Sequence, residues 1–274
     1  MTFLKLFFNR QRWWTTILAA FAVVVMISLG LWQVDRLQQR RAFNARTTAQ
    51  LNEPPLALAG DALNNLDVKS MEYRTVVVTG QYDFAHEIGL RNQAFRDQVG
   101  INLLTPLVIA GTQQAILVNR GWIPFEDSAP ARWSKFTEPG TVQVRGVIRL
   151  SQAKPDFGGI SDPAGAHPVW NLVTLEKIQE QMPYPLLPVY IQQTPEGTSV
   201  VTGETPFTVV NVPTSSTPVK ITLPARSPAQ IDLSEGSHAV YAIQWFTFAA
   251  IVGVGYPALV IQRAKKKPSL QENK

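Results

Sequence analysis

The 274-residue sequence contains no cysteine. That absence removes disulfides, thiolate metal sites, iron–sulfur clusters and cysteine nucleophiles together. Histidine is almost as scarce: His86, His167 and His238 lie far apart, with no two at helical i, i+4 or short-loop spacing. A structural zinc or copper site built from this chain alone is therefore not expected. Charge is sparse too, at 16% of residues against 45% hydrophobic, a balance closer to a membrane protein than to a soluble enzyme. Acids are missing where bases cluster. Residues 1–12 carry Lys5, Arg10 and Arg12 without an acid, and residues 262–274 carry Arg263, Lys265, Lys266, Lys267 and Lys274 against Glu272. The net charge of +5 thus belongs to two short tails beside hydrophobic runs, a topology signal rather than the basic face that nucleic acid requires, so nucleic acid is excluded as a partner. Catalytic signatures are absent as well. Residues 33–237 contain no nucleophile elbow, phosphate-cradling glycine loop or H-E-x-x-H helix, the pair Gly158-Gly159 is too short to hold a nucleotide, and the dispersed acids name no two-carboxylate site. No enzyme is expected.

Two hydrophobic runs dominate what is present. Trp13 to Trp32 is twenty residues without a charge, about 30 Å as a helix, which matches the hydrocarbon thickness of a bilayer. Trp13, Trp14 and Trp32 stand at its ends, where indole rings prefer the headgroup level. A cleaved signal peptide is disfavoured by the length of the run and the lack of an A-x-A site. A polar helical continuation follows, with Trp32, Arg36 and Arg40 on one face at four-residue spacing, read as a solvated stalk whose arginines touch lipid phosphates. The second run, His238 to Ile261, is preceded by Asp232 and Glu235 and followed by the basic tail. The resulting layout has cytoplasmic tails at 1–12 and 262–274, transmembrane helices at 13–32 and 238–261, and an extracytoplasmic domain at 33–237. With twelve residues before the first span there is no room for an organellar transit peptide, so the plasma membrane of a prokaryote is expected.

The intervening domain reads as mostly β and barrel-like, with a helix or two, in an α+β arrangement tethered at both ends. Glu72–Asp83 alternates around β-branched residues. Val99–Ile109 and Gln114–Ile123 flank the turn Ala110-Gly111-Thr112-Gln113, a hairpin signal. Thr141–Arg149 repeats the V-x-V-x-G pattern of the first strand, and Leu186–Gln193 adds another. Thr174 is the expected cap of an amphipathic helix that stops at Pro183. Residues 194–231, rich in Pro, Thr and Ser, give no regular element.

Two stretches invite a chemical reading. In Asn119-Arg120-Gly121-Trp122-Ile123-Pro124, tryptophan packed on the core and arginine capping carbonyls would be structural; a recognition edge would be functional. His238 opens the second run, with Tyr241, Ala242 and Trp245 following at i+3, i+4 and i+7. An imidazole above an aromatic wall suits a porphyrin between two helices. The other reading makes Tyr241 and Trp245 interfacial anchors and gives His238 a lipid headgroup or Arg36 as partner.

Four stretches in order carry a resemblance. These are Leu29-Gly30-Leu31-Trp32-Gln33 with Arg36, Glu72-Tyr73-Arg74 leading to Val78-Thr79-Gly80, Val118-Asn119-Arg120-Gly121-Trp122-Ile123-Pro124, and His238 to Phe246. Together with the plan of two spans around one domain, they resemble the Surf1/Shy1 family of cytochrome c oxidase assembly factors. Residues 194–231 and the stretch Asp156 to Pro168 stand outside the likeness. The resemblance implies a non-enzymatic accessory role in maturing haem–copper oxidase. It implies haem a as a transient cofactor, with His238 as iron ligand and Tyr241 and Trp245 beside it. It also implies the catalytic subunit and the haem-synthesis machinery as partners, with Trp32, Arg36, Asn119, Arg120 and Trp122 as candidate contacts. The rival class, a two-span ligand-binding or sensor module, would need a cytoplasmic output domain larger than tails of this length.

Overall fold

A computed structural model describes residues 7, 12–60, 67–152, 162–163, 165–195, 201–203 and 222–266. The pair Gly158-Gly159, most of the stretch from Asp156 to Pro168, residues 204–221, most of the first basic tail and residues 267–274 of the second lie outside the described residues. The chain forms two compact units, Met1–Ala45 with Ser234–Lys274, and Arg46–Leu233.

The first unit pairs two long helices, α1 (Trp13–Asn52) and, closing the chain, α3 (His238–Lys266). Each contains a stretch long and apolar enough to cross a membrane. In α1 the helix continues past Trp32 without a break for twenty more residues, to Asn52. The helices run antiparallel. Thr15 and Thr16 meet the Tyr256 hydroxyl at 3.0 and 2.7 Å, and Gln33 meets His238 at 2.8 Å. Between these levels Gly30 lies so close to the Phe246 ring that a Cβ there would stand 2.6 Å from it. Small residues at the contact, here Gly30, Ala242 and Ala249, let two backbones approach where side-chain bulk would separate them. Leu18, Phe21, Val24, Val240, Ile243 and Val254 face outward and are exposed.

The second unit is a β barrel with additions. Its strands are β1 (Leu56–Leu58), β2 (Thr75–Tyr82), β3 (Ile88–Phe95), β4 (Gln98–Ile109), β5 (Ala115–Pro124), β6 (Thr141–Leu150), β7 (Val169–Trp170) and β8 (Leu186–Gln193). The order is β1-β2-β6-β8-β5-β4-β3-β7, and a further β2–β4 pairing closes the five strands β2, β6, β8, β5 and β4. Closure happens at Gly80, which pairs with Val142 on one side and Ile109 on the other. A side chain there would put Cβ 2.2 Å from the Val108 carbonyl oxygen. The two V-x-V-x-G stretches prove to be antiparallel neighbours, with Val78 opposite Val144.

Period-two alternation builds the interior: Val76 and Val78, Leu107 and Ile109, Ile116 and Val118, Val144 and Ile148, Val189 and Ile191 form one core. Every residue of β5 but the last is buried, because its other face lies in a second cluster with α2 (Leu175–Gln179), where Leu117 and Tyr190 join Leu175 and Ile178. Complete burial of Ile178 contributes about 2 kcal/mol.

Three details depart from the sequence reading. Thr174 occupies the cap position of α2 without a side-chain capping bond. Its hydroxyl donates to the Gln152 carbonyl at 2.8 Å, and Ser151 Oγ takes over by accepting the Leu175 N–H at 3.0 Å. Strand β3 went unread because Arg91, Asn92 and Gln93 interrupt its apolar start; the long neighbouring strand β4 supplies the ladder, with a bulge between Leu90 and Gln93. Within 194–231, short strands β9 (Val201–Gly203) and β10 (Gln230–Asp232) pair in parallel.

Candidate functional site

Where α1 and α3 approach each other near the start of α3, polar side chains replace the small apolar contacts. Arg41 grips the Glu235 carboxylate with two bonds, 2.7 and 2.9 Å, and Arg40 Nε donates to the Ser234 carbonyl at 2.8 Å. The stalk arginines thus hold the chain that enters α3, instead of simply facing solvent or lipid. One turn further, His238 Nδ1 stands 2.8 Å from Gln33 Oε1. With the Gln33 amide in this orientation its oxygen accepts, so Nδ1 is the donor. In the neutral ring Nε2 then keeps the lone pair, the form in which imidazole binds a metal. A second hydrogen bond on the far nitrogen orients a metal-binding histidine in the same way.

Gln33 is itself buried. It is the His238 partner that the sequence reading passed over, although it stood in the quoted Leu-Gly-Leu-Trp-Gln string. Its signal was a glutamine at the polar end of an apolar helix, three residues after a glycine.

The other named positions separate. Ala242 is buried and Trp245 half-buried along the helix contact, with the Trp245 ring edge-on to Phe248 at 6.2 Å. Tyr241 is 47% exposed and lies off that row. Trp32 is also exposed, with the Arg36 guanidinium 5.7 Å from its ring centroid and the same guanidinium donating to Gln39 at 3.0 Å. Among the described residues, no group of three His, Cys, Asp or Glu is placed to hold a metal ion. His238 is accordingly a single-ligand candidate.

In the β unit, Arg120 turns inward. It continues the interior row of Ile116 and Val118 and is fully buried. Its Nη1 donates to Glu87 Oε1 at 2.8 Å, its Nη2 to Glu138 Oε1 at 3.0 Å and to the Phe136 carbonyl. The guanidinium carbon lies 5.0 Å from the Tyr82 ring centroid and 5.1 Å from that of Phe84. Arg226 completes the set through both oxygens of Glu138, at 3.0 and 3.1 Å. Burial pushes the Glu87 carboxyl above the usual carboxylate range, against the opposing pull of Thr105 and Arg120. This is a plug of charge at one end of the barrel, and Arg120 offers no accessible recognition edge. Trp122 is buried as well, and Asn119 keeps only a small opening.

Known proteins match this arrangement along most of its length. The model of the SURF1 family matches residues 20–250. A SURF1-like protein of Monosiga brevicollis is 28% identical over 239 residues, covering 83% of this chain and 80% of that protein. Surfeit locus protein 1 of Xenopus tropicalis is 28% identical over 156 residues, and that of Homo sapiens 27% over 168, covering 52% and 56% of this chain. The aligned stretches span about half of those two relatives, 50% and 54%. With a family match that runs from within the first helix, across the barrel, into the second, the chain belongs to the SURF1 family.

Proposed function

We propose that the protein is a membrane-bound accessory factor in the assembly of cytochrome c oxidase, and that it assists haem a on its way into the catalytic subunit. Family membership supports the general assembly role. The haem assignment rests on one observation, the Gln33 to His238 hydrogen bond that leaves Nε2 as a ligating nitrogen. The residues fit such a group: His238 would hold the iron, and the half-buried Trp245 would border the porphyrin on the same helix face. Haem, when bound, supplies an iron whose open position an imidazole can fill. The chain's own part is to orient that imidazole and keep its proton on the far nitrogen. Tyr241, being more exposed, would meet the porphyrin rim or lipid.

The outward apolar side chains of both helices support a bilayer setting. The charge pattern of the sequence alone carries the further reading, an extracytoplasmic β unit with both basic tails in the cytoplasm, in the plasma membrane of a prokaryote. Reporter fusions at both termini and within the β unit test that topology. A β-unit fusion active only in the cytoplasm would reverse it.

The haem reading is tested on full-length protein purified in detergent from cells that make haem a. A haem absorption band is expected, lost in His238→Ala and shifted or weakened in Gln33→Leu. A haem-free wild type, or an unchanged band in His238→Ala, removes the ligand assignment. The assembly role is tested apart from it: deletion should lower the oxidase-bound haem a of membranes, and normal levels would count against that role.

A further inference from the structure

The eight-stranded sheet of the β unit has an open edge at β3. The first residues of β3 pair on their outer side with β7, Gly89 with Val169 and Leu90 with Trp170, and there β7 ends. From Arg91 to Phe95 no strand among the described residues covers that side. The Arg91 carbonyl accepts from Gln93 Nε2 at 2.8 Å, which leaves the length from Asn92 to Phe95 open.

Beside this edge runs an apolar row that its cover does not reach. Side chains of one face recur at every second residue of a strand, so Val99, Ile101 and Leu103 of β4 share a face. The 3-10 helical segment Pro130–Phe136 packs Trp133 and Phe136 on Ile101, Leu103 and Ile123, and Val169 joins them from β7. Val99 lies beyond that cover and is 73% exposed, and Phe125, just past the end of β5, is 67% exposed. Together with Ile101, Val169 and Arg91 they line a groove of about 590 Å³. Ala94, opposite Val99 in the β3–β4 ladder, is too small to wall the groove off from the free edge. Arg91 is the one charged residue of the lining, and its guanidinium has no ion pair or hydrogen bond among the described residues.

Charges and bulges commonly guard an edge strand against pairing, and β3 has both, in Arg91 and in the bulge between Leu90 and Gln93. Guarding does not account for Val99 and Phe125, which bring an exposed apolar groove to the edge where protection calls for polar surface. Strand β7 already shows how such an edge is used: laid against β3, it places Val169 on the apolar face. We infer that the rest of the edge takes a strand from a partner protein, an extended acidic segment. One apolar side chain of that segment fills the groove, and a carboxylate two residues away, on the same face, meets Arg91. Strand addition draws affinity from main-chain bonds and specificity from alternate side chains. Charge disfavours a second copy of this chain as the occupant, because pairing β3 with itself brings Arg91 and Arg96 against the same two arginines, with only Asp97 to offset them. The inference stands independently of the haem reading, since it uses no residue of the helix pair.

The test uses full-length protein in phosphatidylcholine nanodiscs and a dye-labelled peptide, Thr-Asp-Thr-Leu-Thr-Asp-Thr amide, whose two acids share a face with the leucine. Its fluorescence anisotropy is expected to rise saturably with protein and not with empty nanodiscs. Arg91→Glu should weaken binding by about tenfold or more and turn the preference toward the peptide with lysine in place of both acids. Val99→Thr, still β-branched and at an exposed position, should weaken both peptides severalfold and leave the unfolding midpoint unchanged. Methylating alternate main-chain nitrogens of the peptide should abolish binding in one phase and spare it in the other, since only one edge of the added strand faces β3. No saturable binding, wild-type affinity in Arg91→Glu, or equal affinity of the two methylated phases would overturn the proposal. Dimers of the peptide-free protein that Val99→Asp dissolves would overturn it in favour of a second copy. Slow reaction of Val99→Cys with an aqueous maleimide before peptide is added would overturn it in favour of lipid.

Discussion

The two units bury opposite things. In the β unit the interior is aliphatic and its end is sealed by Arg120, a charge with no exposure at all. In the helix pair the apolar side chains face out, and the polar groups, Thr15, Thr16, Tyr256, Gln33 and His238, meet between the helices. Apart from Val99 and Phe125, every exposed large hydrophobic among the described residues lies in the two helices. The contrast separates motifs that look alike in the sequence. Asn-Arg-Gly-Trp spends its arginine on the fold, where carboxylates, a carbonyl and two aromatic faces satisfy it. His238 has one ring nitrogen engaged by Gln33, and the proposed haem ligation would use the other.

The largest expected effect comes from breaking the barrel plug. Arg120→Leu leaves the Glu87 carboxylate buried without its counter-charge, and the loss should be about 3–5 kcal/mol. Denaturant unfolding of the full chain in detergent measures it. Adding Glu87→Gln to that variant should restore part of the loss, since the second change removes the stranded charge. The pH dependence gives an independent sign. Glu87 has its folded pKa raised by burial, so its protonated form favours the fold. That contribution is fully present below the unfolded value near 4.5 and is lost as pH rises through the folded pKa. Glu87→Gln, neutral throughout, should therefore remove the fall in stability that lies between the unfolded value and the raised folded one. An unchanged stability in Arg120→Leu would end the claim that this arginine serves the fold.

Much of the fold was legible because alternation and length speak locally. Strands β2, β4, β5, β6 and β8 announce themselves within ten or so residues each, and the two apolar runs by length alone. Closure of the barrel was not, since it depends on Gly80 letting β2 reach β4. The burial of Arg120 was equally hidden: arginine is a surface residue by habit, and its partners Glu87 and Glu138 lie 33 and 18 positions away. At the candidate site, His238 was visible as an ionisable group at the mouth of an apolar helix. Gln33, 205 positions away, was not, because a pairing between two distant helices leaves no local pattern.

A smaller effect, confined to the other unit, comes from separating the helices. Gly30→Leu drives a side chain into the Phe246 ring, and overpacking of this kind costs about 1–3 kcal/mol. The Gln33 to His238 bond should be lost and haem binding with it, while the thermal transition of the β unit stays at the wild-type temperature. A chain without cysteine makes the geometry easy to follow. Cysteines placed at Val23 and Gly253, which face each other across the helix contact, should cross-link readily in the parent and slowly when Gly30→Leu is added. A Gly30→Leu protein that cross-links and binds haem as before would show that close approach of the helices is not what positions His238.

The smallest effect tests whether surface ionisation in the β unit follows the same logic as its interior. Asp83 accepts from His86 Nδ1 at 2.7 Å, from the Tyr184 hydroxyl at 2.9 Å and from the Ala85 N–H at 3.0 Å. Partial burial opposes ionisation, but the bonds from His86, Tyr184 and Ala85 outweigh it and hold the carboxyl below the usual range. A depressed folded pKa contributes stability that is present above the unfolded value near 3.8 and lost as pH falls through the folded one. Asp83→Asn should cost about 1 kcal/mol at neutral pH, reduced by the solvent that reaches the site. It should cost progressively less as the medium is acidified, until variant and wild type unfold alike. Glu87 predicts the reverse direction, stability falling as pH rises, so titrating the two variants side by side distinguishes a carboxylate that the fold tolerates from one that it uses.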